Sequence, residues 1–155
     1  MDKAESIERI FQDLRRMVHA LELYSKDVNT RFGLTAPQLW ALWELERGGE
    51  MTLGSLAKAL QLHPSTVVGV VDRLEGKDLA KRELDPSDRR RIRIRLMPKG
   101  RALLKRAPHP AQGRLVHGLQ AMSESQVTSL RRAMTTLVRI MEAGDLEARF
   151  FFSED

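Results

Sequence analysis

Apolar side chains recur along residues 5–30 at Ile7, Ile10, Phe11, Leu14, Val18, Leu21 and Val28, a spacing that stripes one face of a long helix. Ala20 and Leu23 fall outside the stripe, so this helix is expected to touch two different surfaces. Gly33 marks its end. Thr35-Ala36-Pro37-Gln38 reads as a fresh start: a threonine cap, a proline in the first turn and a glutamine placed to return a hydrogen bond. Next, Leu39, Trp40, Leu42, Trp43 and Leu45 occupy most of a helical circumference, which predicts a central helix running to about Arg47 and closed by Gly48-Gly49. Thr52 caps a short third helix through Leu60, with Leu53, Leu56, Ala57 and Leu60 as its covered face. After a turn at Gln61-Leu62-His63, Pro64 opens a fourth helix to about Gly76, whose inner side is Val67, Val70, Val71 and Leu74.

The period then changes from helical to alternating. Arg91-Ile92-Arg93-Ile94-Arg95-Leu96 predicts a half-buried strand with Arg91, Arg93 and Arg95 on the side opposite Ile92 and Ile94. Leu79 to Leu84 supplies its partner, and Asp85-Pro86-Ser87-Asp88-Arg89-Arg90 forms the turn between them. Pro98 opens a fifth helix that Pro108 and Pro110 break, since each removes a backbone donor, and the chain resumes as helix near Ala111. Ser123-Glu124-Ser125-Gln126 is a second capping box; Val127, Leu130, Met134, Leu137, Val138 and Met141 stripe the final helix up to Gly144. The tail Arg149-Phe150-Phe151-Phe152 is too apolar to be left in water. The expected fold is mainly α with a small β-hairpin wing: a helix-turn-helix, its wing, and further helices at both ends, in one domain over residues 1–155.

Composition narrows the function. There is no cysteine, which excludes disulfides, thiol nucleophiles and thiol redox switches. The longest apolar runs fall short of a membrane span and Met1-Asp2-Lys3-Ala4-Glu5 does not open a signal peptide, so a cytoplasmic protein is expected. The net charge of +5 is concentrated in residues 72–106, where thirteen basic residues face six acidic ones. A polyanion is the natural partner of such a segment. On the fourth helix, Ser65, Thr66, Val68, Gly69, Asp72 and Arg73 are left outward, a small and mostly uncharged face that suits close approach to base edges in a major groove. Glycine inside a helix costs about 1 kcal/mol relative to alanine, so Gly69 points either to close approach or to a tolerant position. No glycine-rich phosphate loop, nucleophile elbow or paired-histidine helix motif is present, which argues against catalysis.

Ser65-Thr66-Val67, Val71-Asp72-Arg73-Leu74-Glu75, Asp85-Pro86-Ser87-Asp88-Arg89-Arg90 and Pro98-Lys99-Gly100, in this order and in these elements, resemble the MarR/SlyA family of winged helix-turn-helix regulators. The resemblance implies a homodimer bound to an inverted-repeat operator in double-stranded DNA, acting as a ligand-responsive repressor. It assigns residues 5–32 and 108–155 to dimerisation and 35–100 to the DNA-binding lobe. It places Ser65 and Thr66 at the start of the recognition helix, Arg90 in the minor groove and Asp88 as the group that holds it. Arg73, Arg89, Arg91, Arg93 and Arg95 join them as DNA contacts on charge and position. This chain departs from the family pattern at Val68 and Gly69, where a polar residue and an arginine are common, and at Met97, where a threonine cap is usual.

The resemblance also implies a small aromatic or phenolic ligand between the dimerisation helices and the DNA-binding lobe. Arg15, His19, Trp40 and Trp43 are the candidates, two to meet a carboxylate or hydroxyl and two to stack. Neither a cofactor nor a metal is implied. His109 and His117 are the loosest of pairs, so a metal-responsive regulator stands only as an alternative, alongside a winged helix that binds RNA or a protein.

Overall fold

The computed structural model describes residues 2–146 and Ala148; the Phe150–Phe152 tail lies outside the described residues. Seven helices and three short strands follow one another as α1 (Lys3–Phe32), α2 (Ala36–Gly48), β1 (Met51–Thr52), α3 (Leu53–Leu60), α4 (Pro64–Gly76), β2 (Ala80–Leu84), β3 (Ile92–Leu96), α5 (Pro98–Leu104), α6 (Ala111–Ala121) and α7 (Glu124–Ile140) among these residues. They fall into two compact units, one ending at Pro110 and one beginning at Ala111.

Local chemistry sets most of the boundaries. Asp2 caps α1 reciprocally with Glu5: its Oδ1 accepts from the Glu5 amide at 2.8 Å, and Glu5 Oε2 accepts from the Asp2 amide at 3.0 Å. The helix therefore starts two residues before the apolar stripe predicts. Thr35 and Gln38 form the expected box on α2, and Thr52 accepts from the Ser55 amide at 3.1 Å on α3. Gly33, at φ 62°, closes α1 in the left-handed conformation that favours glycine. Pro108 and Pro110 separate α5 from α6, as their missing donors require.

The core of the first unit is built on α2, whose residues from Ala36 to Leu42 are all buried. Against it pack Leu56 and Leu60 of α3, Val67, Val71 and Leu74 of α4, and Ile94 of β3, each at most 1% exposed. Val28 fixes the end of α1 to this core and is the single buried residue of that helix. The sheet is antiparallel in the order β1-β3-β2, with Met51 opposite Ile94 and Leu84 opposite Ile92. Two residues of β1 carry no periodicity, so the third strand was not predicted from sequence.

Two expectations need correction. Ile92 is 51% exposed, because β1 pairs with β3 only at Ile94 and Arg93 and the hairpin extends past it. The final helix ends at Ile140 and not at Gly144: Glu142 takes the left-handed conformation at φ 53°, and the Ala143 amide bonds back to the Val138 carbonyl at 3.0 Å. In the second unit, α7 has no buried residue; Val127, Leu130, Met134 and Val138 are all well exposed.

Candidate nucleic-acid interface

The inward face of α4 is Val67, Val70, Val71 and Leu74. Its three-residue and four-residue spacing leaves Ser65, Thr66, Val68, Gly69, Asp72 and Arg73 exposed on the other side, as the sequence predicts. A methyl group added at Gly69 would meet nothing within 4 Å, so no packing inside the chain requires glycine there.

The wing is fastened to this helix by Arg82, a residue that sequence reading did not single out. Its guanidinium pairs with Asp72 at 2.7 Å and with Glu75, and its Nη2 donates to the Val68 carbonyl at 3.3 Å. Glu75 Oε1 also accepts from the Arg82 backbone amide at 2.7 Å. Partial burial works against the charge of Arg82, but the hydrogen bonds to Asp72 and Glu75 outweigh it and raise its pKa. The outward face of α4 and the hairpin are thereby held together.

At the hairpin tip, the carboxylate of Asp85 is 3% exposed and fully engaged. It accepts from the Ser87 hydroxyl at 2.6 Å, the Ser87 amide at 2.8 Å and Arg93 Nε at 2.6 Å. The Ser87 bonds, then Arg93, hold its pKa well below the usual carboxylate range. Arg95 donates from Nη2 to Glu83 Oε1 at 2.9 Å, with its Nε 2.8 Å from the other carboxylate oxygen as an ion pair, and lowers the Glu83 pKa. Arg93 and Arg95 are thus committed to partners within the hairpin, where alternation alone had offered them as free cations.

The other wing arginines differ. Arg90 is 92% exposed, and Asp88 Oδ1 takes both its amide at 3.1 Å and its Nε at 3.3 Å. Arg91 reaches the second Asp88 oxygen at 3.5 Å and is 67% exposed. Arg89 is exposed with no ion pair among the described residues, as is Arg73 on α4. One aspartate at a tight tip therefore orients two outward guanidiniums.

The four candidate ligand residues are not brought together. Trp40 belongs to the core, 3% exposed, with its indole N–H donated to Glu44 at 3.1 Å. Trp43 is half-buried, donates to the Pro108 carbonyl at 3.0 Å and packs on His109 at a ring separation of 4.2 Å. Arg15 is exposed on α1, and His19 stands one turn further along beside Glu22, at 3.7 Å.

Residues 34–92, from the start of α2 to the end of the wing turn, match the MarR family. Over 138 residues the chain is 25% identical to the uncharacterized HTH-type transcriptional regulator YsmB of Bacillus subtilis (strain 168), spanning 89% of this chain and 94% of that one. The solved structure of a MarR family protein from Bacillus stearothermophilus superposes with a TM-score of 0.57 at 26% identity, over 92% of this chain and 99% of that one. In sequence and fold the chain is similar to MarR-family regulators. A second MarR-like structure, BpsR of Bordetella bronchiseptica, aligns with a TM-score of 0.56 at 26% identity over 94% of this chain and 99% of that one; its DNA binding is regulated by 6-hydroxynicotinic acid.

The chain has a winged helix-turn-helix fold, and the family and relatives it matches are transcriptional regulators and not enzymes. No helix among the described residues is long and apolar enough to cross a membrane. The MarR match accounts for Ser65–Glu75 and the Asp85–Arg90 tip, whereas Arg82 acquires its role through partners on α4 and Asp85 through Ser87 in its own turn together with Arg93 on β3. A signal was present for both: an acid seven residues before Arg82 and another eight before Arg93.

Proposed function

We propose that this protein is a MarR-family regulator, a homodimer that represses transcription by holding an inverted-repeat operator in duplex DNA. The observation that carries the reading is the union, through Arg82, of a mostly uncharged small-residue helix face with a wing tip that presents Arg90 at 92% exposure. Such a pair suits simultaneous entry of the helix into a major groove and the arginine into the flanking minor groove. Dimerisation is supported by apolar stripes left open on two helices, Ile7, Ile10, Phe11 and Val18 on α1 and Leu130, Met134 and Val138 on α7. Two lobes related by a two-fold axis would reach successive major grooves and cover the DNA that a polymerase must contact, which is why repression is the sign we assign. Release by a small aromatic acid rests on the likeness to BpsR, with Arg15 and His19 the accessible groups that a carboxylate could meet.

The wing supplies the test. Arg90→Ala is expected to weaken operator binding by about 1–3 kcal/mol and to reduce the preference for A·T pairs at the operator flanks. Arg93→Ala should lower affinity for all sequences alike by loosening the tip. Because Asp85 already offsets the charge of Arg93, that variant should change the salt slope by less than the roughly 0.9 per subunit that a free arginine contributes. Affinities measured on duplexes with varied flanks decide it. Unchanged flank preference in Arg90→Ala would reduce the wing to an electrostatic clamp.

A further inference from the structure

The first turn of α4 contains a side chain that neither the fold nor the wing mechanism uses fully. Asp2, Thr35, Thr52 and Ser123 cap α1, α2, α3 and α7 with the short oxygen side chains that helix N-termini favour. In α4 the cap is a histidine. His63 Nδ1 lies 3.3 Å from the Ser65 amide, which donates to it, and 2.7 Å from the Ser65 hydroxyl. To accept from an amide, Nδ1 must be unprotonated, so the neutral ring carries its proton on Nε2. Nε2 has no hydrogen-bond partner among the described residues, and the ring is exposed. An outward N–H donor thus stands at the entry of the recognition helix, one step from Ser65 and Thr66.

We infer that His63 is a DNA-backbone contact: its Nε2–H donates to a phosphodiester oxygen beside the major groove that α4 enters. The inference rests on the DNA-binding function proposed above. The helix start is where phosphates are met in such docking, and a donor held by a second bond is already oriented for one. The Ser65 hydroxyl can keep the ring in place in either charge state. It donates to Nδ1 when the ring is neutral and accepts from Nδ1–H when the ring is protonated. Protonation therefore turns a neutral hydrogen bond into an ion pair without turning the ring away, at the cost of the amide cap. No ion pair ties His63 to another residue among those described. The titratable residues flanking it in sequence are Lys58 on α3 and Asp72 on α4, and Asp72 is occupied by Arg82.

Two variants separate this role from simple capping. His63→Asn keeps an acceptor near the place of Nδ1 and removes the distal donor; His63→Gln keeps a donor near the place of Nε2 and removes the cap acceptor. The probe is a 30-bp duplex selected by the wild-type protein from a randomised library, with a scrambled duplex beside it. At pH 8, His63→Asn is expected to retain the wild-type melting temperature and to bind both duplexes about five-fold more weakly per subunit. His63→Gln should melt lower and lose less affinity. Wild-type affinity in His63→Asn overturns the inference while leaving DNA binding intact. A wild-type protein that selects no duplex overturns both readings together.

Discussion

Replacing Leu130 and Met134 on α7 with glutamate is expected to give a folded monomer that binds its operator about 10²- to 10⁴-fold more weakly than the parent chain. Both side chains are about two-fifths exposed, 41% and 43%, and no residue of α7 is buried, so the charges should cost the isolated chain little. Within a dimer interface the same charges would be stripped of water with nothing to pair them, which abolishes association. Loss of the partner removes the second recognition helix, and the affinity that came from tethering two half-site contacts goes with it. Sedimentation measures the mass, circular dichroism the helix content, and titration of a selected duplex the affinity. A double variant that remains dimeric would move the interface elsewhere.

Gly100→Ala is expected to destabilise the fold by about 3 kcal/mol and to lower the melting temperature by about 10 °C. A β-carbon there would stand 2.3 Å from the Leu79 carbonyl oxygen and 2.7 Å from Leu96 Cδ1. Neither can step aside cheaply. The Leu79 carbonyl accepts from the Met97 amide at 2.9 Å and so joins the base of the wing to the start of α5, while Leu96 is buried. Met97 supplies no side-chain cap, which leaves this close approach and Pro98 to set the direction of α5. A melting temperature within about 2 °C of wild type would mean that the two segments are less tightly joined than the distances imply.

What the sequence revealed and what it hid follow one physical division. Signals confined to four or five neighbouring residues were legible: the Thr35–Gln38 and Ser123–Gln126 boxes, the αL stop at Gly33, the proline break at Pro108 and Pro110, and the period change at Arg91. Lys99-Gly100 was legible as a motif, but the reason for glycine, a carbonyl from the far side of the wing, was not. Features made by partners on separate elements were hidden. Arg82 looked like one more cation on a strand until α4 brought Asp72 and Glu75 beside it. Arg93 and Arg95 counted as free charge until Asp85 and Glu83 took them. Alternation gives the side of a strand on which a residue lies; it does not say how much of that side is covered, and among the described residues Ile92 is left half open. The candidate ligand residues scattered for the same reason, since a helical wheel cannot show that Trp40 is already held by Glu44.

The central claim, that two copies of this chain read duplex DNA through α4 and the wing, is tested most directly by selecting binders from a randomised duplex library and sequencing what is retained. The account predicts an inverted repeat whose half-sites are centred about 10 bp apart, bound by two protomers, with A·T-rich flanks where Arg90 enters. Retention of a single asymmetric half-site as tightly as the full repeat, or stronger retention of RNA than of any duplex DNA, would contradict it.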